Sequence, residues 1–356
     1  MPEPKPLPTT DRLLSLVRSM AGQPVLVLAD MVADRFITGT PKRISREAPV
    51  LILRYQSEIL TPGGGANAVA NIAALGGRPL PLGIVGDDDS GERLRQELAG
   101  RGIDVSGILT RPGYRTPTKT RILGGGKHSI KQQIVRYDVE EEIALRDTER
   151  AALRECLRAW RGEARTAVVS DYGYGSVEPG LIGDLRQALA PGGAILGDSR
   201  YRLAEFRGLD GATPNEEEAE ALLGAEIGDI DPGGDQGMDQ LSRDGRALRE
   251  RLDARFLLVT RGSRGMALFD QAGAAHLPVH GTDQVADVTG AGDTVIGTFA
   301  LALAAGASPL EAALLANYAG GVVVMKMGTA TLTRDELEAA LRADSRPLEE
   351  LRWVRS

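Results

Sequence analysis

The chain has 356 residues, 42% hydrophobic and 26% charged, an ordinary globular composition long enough to bury a sizeable core in one large or two ordinary domains. A net charge of −7 argues against nucleic acid as a partner without excluding a local basic pocket, and the single cysteine, Cys156, rules out an internal disulfide framework or cysteine zinc cluster and fits a reducing cytoplasm. His128, His276 and His280 are too scattered for a metal motif, residues 1–10 lack the apolar stretch of a signal peptide, and no charge-free run reaches transmembrane length, so no membrane partner is expected.

Residues 11–20 read as a short amphipathic helix. Val25–Ala29 is a continuous apolar run ending in Asp30, the pattern of a strand buried on both faces. Ligands of parallel sheets gather beyond the carboxyl ends of the strands, so Asp30 and Asp34 are placed to meet one; loop solvation or capping would explain them too. From Phe36 to Leu60 strand-forming residues dominate. A second such insertion, Thr116–Val139, has a hairpin pattern around Gly124-Gly125-Gly126. Together they predict a small separate β sheet, a lid. With a period of two, Lys119 and Arg121 share one face, where basic side chains can clamp a phosphate or simply guard an exposed edge.

Pro62-Gly63-Gly64-Gly65-Ala66-Asn67 opens a small-residue helix closed by Gly76, fitting either close ligand approach or close helix packing. Strands are predicted at Pro81–Val85, Thr166–Ser170, Ala194–Leu196 and Phe256–Val259. Helices are predicted at Gly91–Ala99, Thr148–Arg161, Pro179–Ala190 and Met238–Ala254. Asp171 and Asp198 again stand at strand ends. Asn215 and Glu218 begin an acidic helix, one turn apart, as a metal–water pair or as an N-cap with acids behind it. Gly228–Gly237 reads as a mobile surface loop, and Thr260–Gly265 as a glycine turn before a hairpin at Met266–Pro278.

The stretch Asp287-Val288-Thr289-Gly290-Ala291-Gly292-Asp293-Thr294 joins an extended segment ending near Val285 to a long apolar helix. Free N–H groups and the helix dipole make such a start an anion site. A carboxylate there, Asp293, repels an anion unless it has another task, such as taking a proton beside a bound phosphate; a helix cap is the plainer reading. Helices follow at Thr294–Ala305, Leu310–Met325 and from Arg334. The alternation of strand and helix predicts an α/β fold with a mainly parallel sheet covered by helices.

Taken in order, Pro62–Asn67, Thr213-Pro214-Asn215 to Glu218, Thr260–Gly265 and Asp287–Asp293 resemble the signatures of the ribokinase-like (PfkB) sugar kinases over nearly the whole chain. The resemblance implies a three-layer α/β/α core (11–34, 61–115 and 140–345), lid insertions (35–60 and 116–139) and tails (1–10 and 346–356). Arg43-Ile44-Ser45, Glu47–Val50, Thr118–Arg121, Arg136-Tyr137-Asp138 and Ser170-Asp171-Tyr172 resemble the branch that phosphorylates D-glycero-β-D-manno-heptose 7-phosphate at C1. Two departures stand out: Gly173-Tyr174 and Asp198-Ser199-Arg200 replace segments in which that branch carries lysine, and arginine is not a simple substitute near phosphate. The chain ends soon after the kinase region, so a fused nucleotidyltransferase domain is expected to be absent.

The resemblance further implies in-line transfer from ATP with Mg²⁺. Asp293 would be the base, with Gly290, Ala291 and Gly292 holding the developing charge. Asp34, Gly64 and Asn67 would bind the sugar, and Arg43, Lys119, Arg121 and Arg136 its phosphate. Asn215, Thr260, Gly262, Gly265 and Asn317 would border the nucleotide, with Asn215 and Glu218 on Mg²⁺ through water. Asp287 and Thr289 would hold a monovalent cation such as K⁺, and the lid would pair in a homodimer. The competing readings are a kinase for another sugar or nucleoside, and a non-catalytic sugar or nucleotide sensor. A dinucleotide-dependent dehydrogenase needs a Gly-x-Gly-x-x-Gly after the first strand, which is missing, as is the P-loop motif.

Overall fold

In the computed structural model of the protein, which describes residues 7–126, 131–228, 236–281 and 286–355, the first strand, β1 (Pro24–Ala29), dictates the layering. Val25, Val27 and Ala29 enter one apolar cluster, Leu26 and Leu28 a second one on the opposite face. A strand apolar on both sides must be covered on both sides, and a parallel sheet between two helical layers achieves this.

The first half of the chain runs α1 (Thr10–Ser19), β1, β2 (Met31–Ile44), β3 (Leu51–Gly64), α2 (Gly65–Ala74), β4 (Arg78–Gly86) and α3 (Asp89–Gly100). Then come β5 (Ile108–Arg111), β6 (Thr118–Gly124), β7 (Gln132–Val139), α4 (Asp147–Ala159), β8 (Thr166–Asp171) and α5 (Ile182–Ala188). The second half continues with β9 (Ala194–Ser199), β10 (Gly211–Ala212), α6 (Glu216–Leu223), α7 (Gln236–Leu252), β11 (Phe256–Thr260), β12 (Met266–Phe269) and β13 (Gly273–Leu277). The last elements are α8 (Ala291–Ala304), α9 (Pro309–Val323), α10 (Arg334–Ala343), α11 (Arg346–Glu349) and β14 (Arg352–Arg355).

The ten-stranded sheet has the order β14-β13-β12-β11-β10-β9-β8-β1-β4-β5. From β11 to β5 every pairing is parallel; β12, β13 and β14 add an antiparallel edge. Residues from α1, α2, α8, α9 and α10 fill one cluster, and residues from α4, α5, α6 and α7 the other. The expected α/β class with a mainly parallel sheet is therefore observed. Residues 352–355, expected within a tail, instead pair with β13, where Trp353 lies opposite Ala275.

A smaller sheet has the order β3-β2-β6-β7. β2 and β3 are both 14 residues long and pair from Met31↔Gly64 outward to Ile44↔Leu51. The two strands thus begin in the core and continue into the small sheet, with no break at 34/35 or 60/61 where a boundary was expected. Their inner ends are buried and their outer ends exposed. His128, most of the loop expected at Gly228–Gly237, and the end of the extended segment near Val285 lie outside the described residues.

Candidate active site

The carboxyl ends of β8, β9 and β11 open onto a cavity of about 450 Å³, roofed by the small sheet and floored by the start of α8. Its lining includes Asp34, Gly64, Lys119, Arg121, Arg136, Asp171, Tyr172, Asp198, Arg200, Asn215, Glu218, Thr260, Val288, Thr289, Gly290, Gly292 and Asp293. That volume is of the size that small-molecule sites use.

Helix α8 starts without a side-chain cap. Gly290, in the left-handed region at φ 78°, is its N-cap residue, and Gly290 and Gly292 face the cavity. A side chain at 290 would be strained, and its Cβ would fall 2.5 Å from Asn67 Nδ2. Asp293 therefore does not cap the helix. Only 2% exposed, it accepts from Asn67 Nδ2 on Oδ2 at 3.2 Å and from the Tyr172 hydroxyl on Oδ1 at 2.8 Å. Burial outweighs those two bonds and pushes its carboxyl up to about 7. The group is thus poised to exchange a proton near neutrality, the condition for a general base.

Asn67 is buried in α2 and is not among the cavity-lining residues. It bridges the two helices instead, donating to Gly290 O and Asp293 and accepting from Asn71 Nδ2. The small residues of α2 permit that close approach; Gly64, at φ 50°, turns the chain into the helix.

Above the cavity, Lys119, Arg121 and Arg136 share one face of the small sheet, with Arg121 opposite Arg136 across the β6–β7 ladder. Arg121 donates to Asp34 Oδ1 at 2.8 Å, and Thr329 donates to Asp34 Oδ2 at 2.5 Å. Both oxygens of Asp34 already accept one bond each, so a ligand hydroxyl must use a remaining lone pair. Arg136 is held by Asp138 through Nε and Nη2. Lys119 lies 4.9 Å from the centre of the Tyr172 ring, and burial lowers the pKa of its ammonium.

Asn215 and Glu218 line the cavity and form the reciprocal capping box of α6, at 2.9 and 2.8 Å, which is the N-cap arrangement their spacing allows. Burial raises the pKa of Glu218. Burial, then the charge of Glu218, raises that of Asp198 well above the carboxylate range. These oxygens are hard-cation donors suited to water-bridged Mg²⁺. Among the described residues no group of three or more His, Cys, Asp or Glu side chains forms an all-protein metal cage. Asp287 braces two loops, accepting from the N–H groups of Thr289 at 2.9 Å and Gly328 at 3.0 Å, with lone pairs left over for a cation.

Several expected site residues are not brought to the cavity. Arg43 is exposed near the far end of β2. Gly262 and Gly265 shape the turn after Thr260 with φ of 57° and 78°. Asn317 is 2% exposed in α9 and donates to Pro278 O at 2.7 Å. Conversely, Tyr172, Asp198, Arg200 and Thr329 were not proposed as site residues. Asp198 was visible as a strand-end aspartate, but a contact such as Asp34–Thr329 leaves no local pattern in the chain.

A sequence profile described as pfkB family carbohydrate kinase matches residues 27–141 and 200–336. The bifunctional protein HldE of Mesorhizobium japonicum is 38% identical over 340 residues, which are 94% of this chain and 65% of that protein, so the chain spans about two-thirds of the length of this relative. Phosphofructokinase-2 from Escherichia coli, in complex with substrates and products, superposes with a TM-score of 0.70 at 21% identity, covering 92% of this chain and all (100%) of that one. Arabidopsis thaliana ribokinase complexed with ribose and ATP gives 0.67 at 20% identity, covering 91% and 100%. The likeness to these two structures shows the ribokinase-like fold.

Proposed function

Because the chain belongs to the pfkB family of carbohydrate kinases, we propose that it transfers the γ-phosphoryl group of ATP to a hydroxyl of a phosphorylated sugar, namely C1 of D-glycero-β-D-manno-heptose 7-phosphate. The observation that carries the reading is one cavity holding a buried carboxylate near neutrality, Asp293, beneath three cations, Lys119, Arg121 and Arg136. A phosphosugar satisfies both ends: its phosphate meets the cations and its hydroxyl meets the base. The heptose assignment draws on the resemblance of Arg43–Ser45, Thr118–Arg121 and Arg136–Asp138 to that branch, and on the similarity to HldE.

In this mechanism Asp293 takes the proton of the attacking hydroxyl. The N–H groups at the uncapped start of α8 hold charge developing on the transferred phosphoryl oxygens. Asp34 accepts from sugar hydroxyls, with Gly64 lining the same cavity. Thr260 borders the nucleotide. Asn215 and Glu218 would hold Mg²⁺ through water, and the ion would supply charge neutralisation on the ATP phosphates. Asp287 and Thr289 would provide oxygen donors for K⁺. Exposed Tyr55, Ile59, Ile134 and Val135 on the small sheet support a homodimer through it. No helix among the described residues is long and apolar enough to cross a membrane.

The test is ADP release with a panel of free and phosphorylated sugars. Heptose 7-phosphate is expected to exceed the unphosphorylated sugar by roughly 100-fold in kcat/KM, the worth of about two charge-assisted hydrogen bonds. Equal turnover of free and phosphorylated sugars would remove the clamp. Binding without ADP release from any of them would restore the sensor reading.

A further inference from the structure

We propose that Tyr172 is a positioning residue of the transfer site: its hydroxyl orients the Asp293 carboxylate, and Asp30 in turn fixes Tyr172. The inference deepens the reading of Asp293 as the base and depends on it.

The chain leaves β8 at Asp171 and turns at once around Asp30, the residue that follows β1. The Asp30 carboxylate accepts from four donors: Tyr172 N at 2.8 Å, Tyr174 N at 3.1 Å, Ser176 N at 3.1 Å and Ser176 Oγ at 2.5 Å. Asp30 is 1% exposed and is not among the cavity-lining residues. Its work is internal: one buried carboxylate gathers the loop 172–176 and leaves the Tyr172 side chain little freedom. The ring is bounded by the Lys119 ammonium 4.9 Å from its centre, and by Gly64, where a Cβ would come within 3.2 Å of the ring edge. The hydroxyl then reaches Asp293 Oδ1 at 2.8 Å.

An ionised carboxylate has about four lone-pair sites. Tyr172 occupies one on Oδ1 and Asn67 one on Oδ2, the latter at a longer 3.2 Å. A substrate hydroxyl uses a further site on the cavity side. Without the phenol, the carboxylate keeps only the Asn67 anchor and can rotate. Burial, and then the neighbouring Asp293 charge, hold the phenol well above its ordinary pKa, so it remains a donor while Asp293 is ionised. The charges of Asp34 and Lys119 also act on Asp293, and the Asp293 charge acts on Asp198. The same hydrogen bond therefore favours the ionised base and aims it.

Tyr172→Phe keeps the ring between Lys119 and Gly64 and deletes only the donor. Rates of ADP release as a function of pH would be compared for wild type, Tyr172→Phe and Asp293→Asn, using the best sugar of the panel. The phenylalanine variant is expected to shift the acid limb of kcat upward by about one pH unit. At pH 7 the rate would fall by more than the roughly fivefold that the shift alone gives, and by pH 9 it would recover only to a plateau below wild type, because the carboxylate is no longer aimed, with KM for the sugar within about twofold. A folded variant whose limb does not move overturns the proposal, whether or not its rate drops uniformly. Should the variant fail to fold, difluorotyrosine at 172 strengthens the donor in the native shape. Its limb must then move to lower pH, and an unmoved limb refutes the proposal equally. Asp293→Asn with near wild-type turnover would instead remove the base reading itself, so the two failures are distinguishable.

Discussion

Asp293→Asn should leave a protein that turns over about 10²–10⁴-fold more slowly yet resists denaturation better at alkaline pH. The carboxyl stands at about 7 in the folded chain against an ordinary 3.8, with burial as the main cause. Below 3.8 both folded and unfolded chains carry the proton and nothing is lost. Between 3.8 and about 7 the unfolded chain releases it while the folded chain keeps it, so stability falls as pH rises through this window and levels off above it. At about 1.4 kcal/mol per tenfold in proton affinity, the full displacement corresponds to roughly 4 kcal/mol. The span from pH 5 to pH 8.5 contains about two-thirds of it, or roughly 3 kcal/mol. The amide does not titrate, but its NH₂ meets at least one donor, Asn67 Nδ2 or the Tyr172 hydroxyl, and that mismatch costs about 1–2 kcal/mol at every pH. Urea unfolding of both proteins at pH 5 and pH 8.5 isolates the titrating part, because the fixed mismatch and all other groups cancel. The variant should gain roughly 3 kcal/mol on wild type between the two pH values. A difference that stays within about 1 kcal/mol across that range would refute the claim that the Asp293 charge is held in the fold at a cost.

Further outcomes follow from individual contacts. Arg121→Met leaves Asp34 as a buried carboxylate without its cation and should lower stability by about 3 kcal/mol, while Arg121→Met with Asp34→Asn recovers most of it; thermal unfolding of the single and double variants checks this. Gly290→Ala forces a side chain into the left-handed region and against Asn67, so the unfolding free energy from denaturant titration should fall by about 1–2 kcal/mol and turnover should fall with it. Glu218→Gln keeps the acceptor that caps α6 and should unfold within a degree or so of wild type. The Mg²⁺ concentration for half-maximal rate should rise by roughly tenfold, read from ADP release in a Mg²⁺ titration.

The architecture was legible because its signals are local. An apolar run such as Val25–Ala29 stopping at a carboxylate can hardly be anything but a buried parallel strand. The turn before Ala291 likewise announces a helix start open to an anion. What could not be read was whatever depends on residues far apart in the chain meeting in space. Asn67 looked like a ligand for a sugar hydroxyl, yet it turns inward to Asp293, 226 positions away. Tyr172 follows Asp171 as any aromatic residue follows a strand, and only the collar around Asp30 gives it a direction. Arg43 belongs to a sheet whose outer half is exposed, so charge and strand pattern alone could not tell the cavity end from the far end. Arg352–Arg355 is too short to announce itself, and becomes a strand because β13 offers an edge.

The unbroken run of β2 from the core into the small sheet makes that strand a lever. Its pivot is next to Asp30, where β1 ends and β2 begins. Asp34 lies roughly 13 Å along the arm and Arg43 roughly 43 Å along it, at about 3.3 Å per residue. A tilt that shifts Asp34 by one ångström therefore carries the far end through about three. Register shifts at Thr38/Gly39 and Pro41/Arg43 let the outer arm twist without unpairing the inner one. Whatever is gripped at Asp34 and Arg121 thus lies at the short end of the arm.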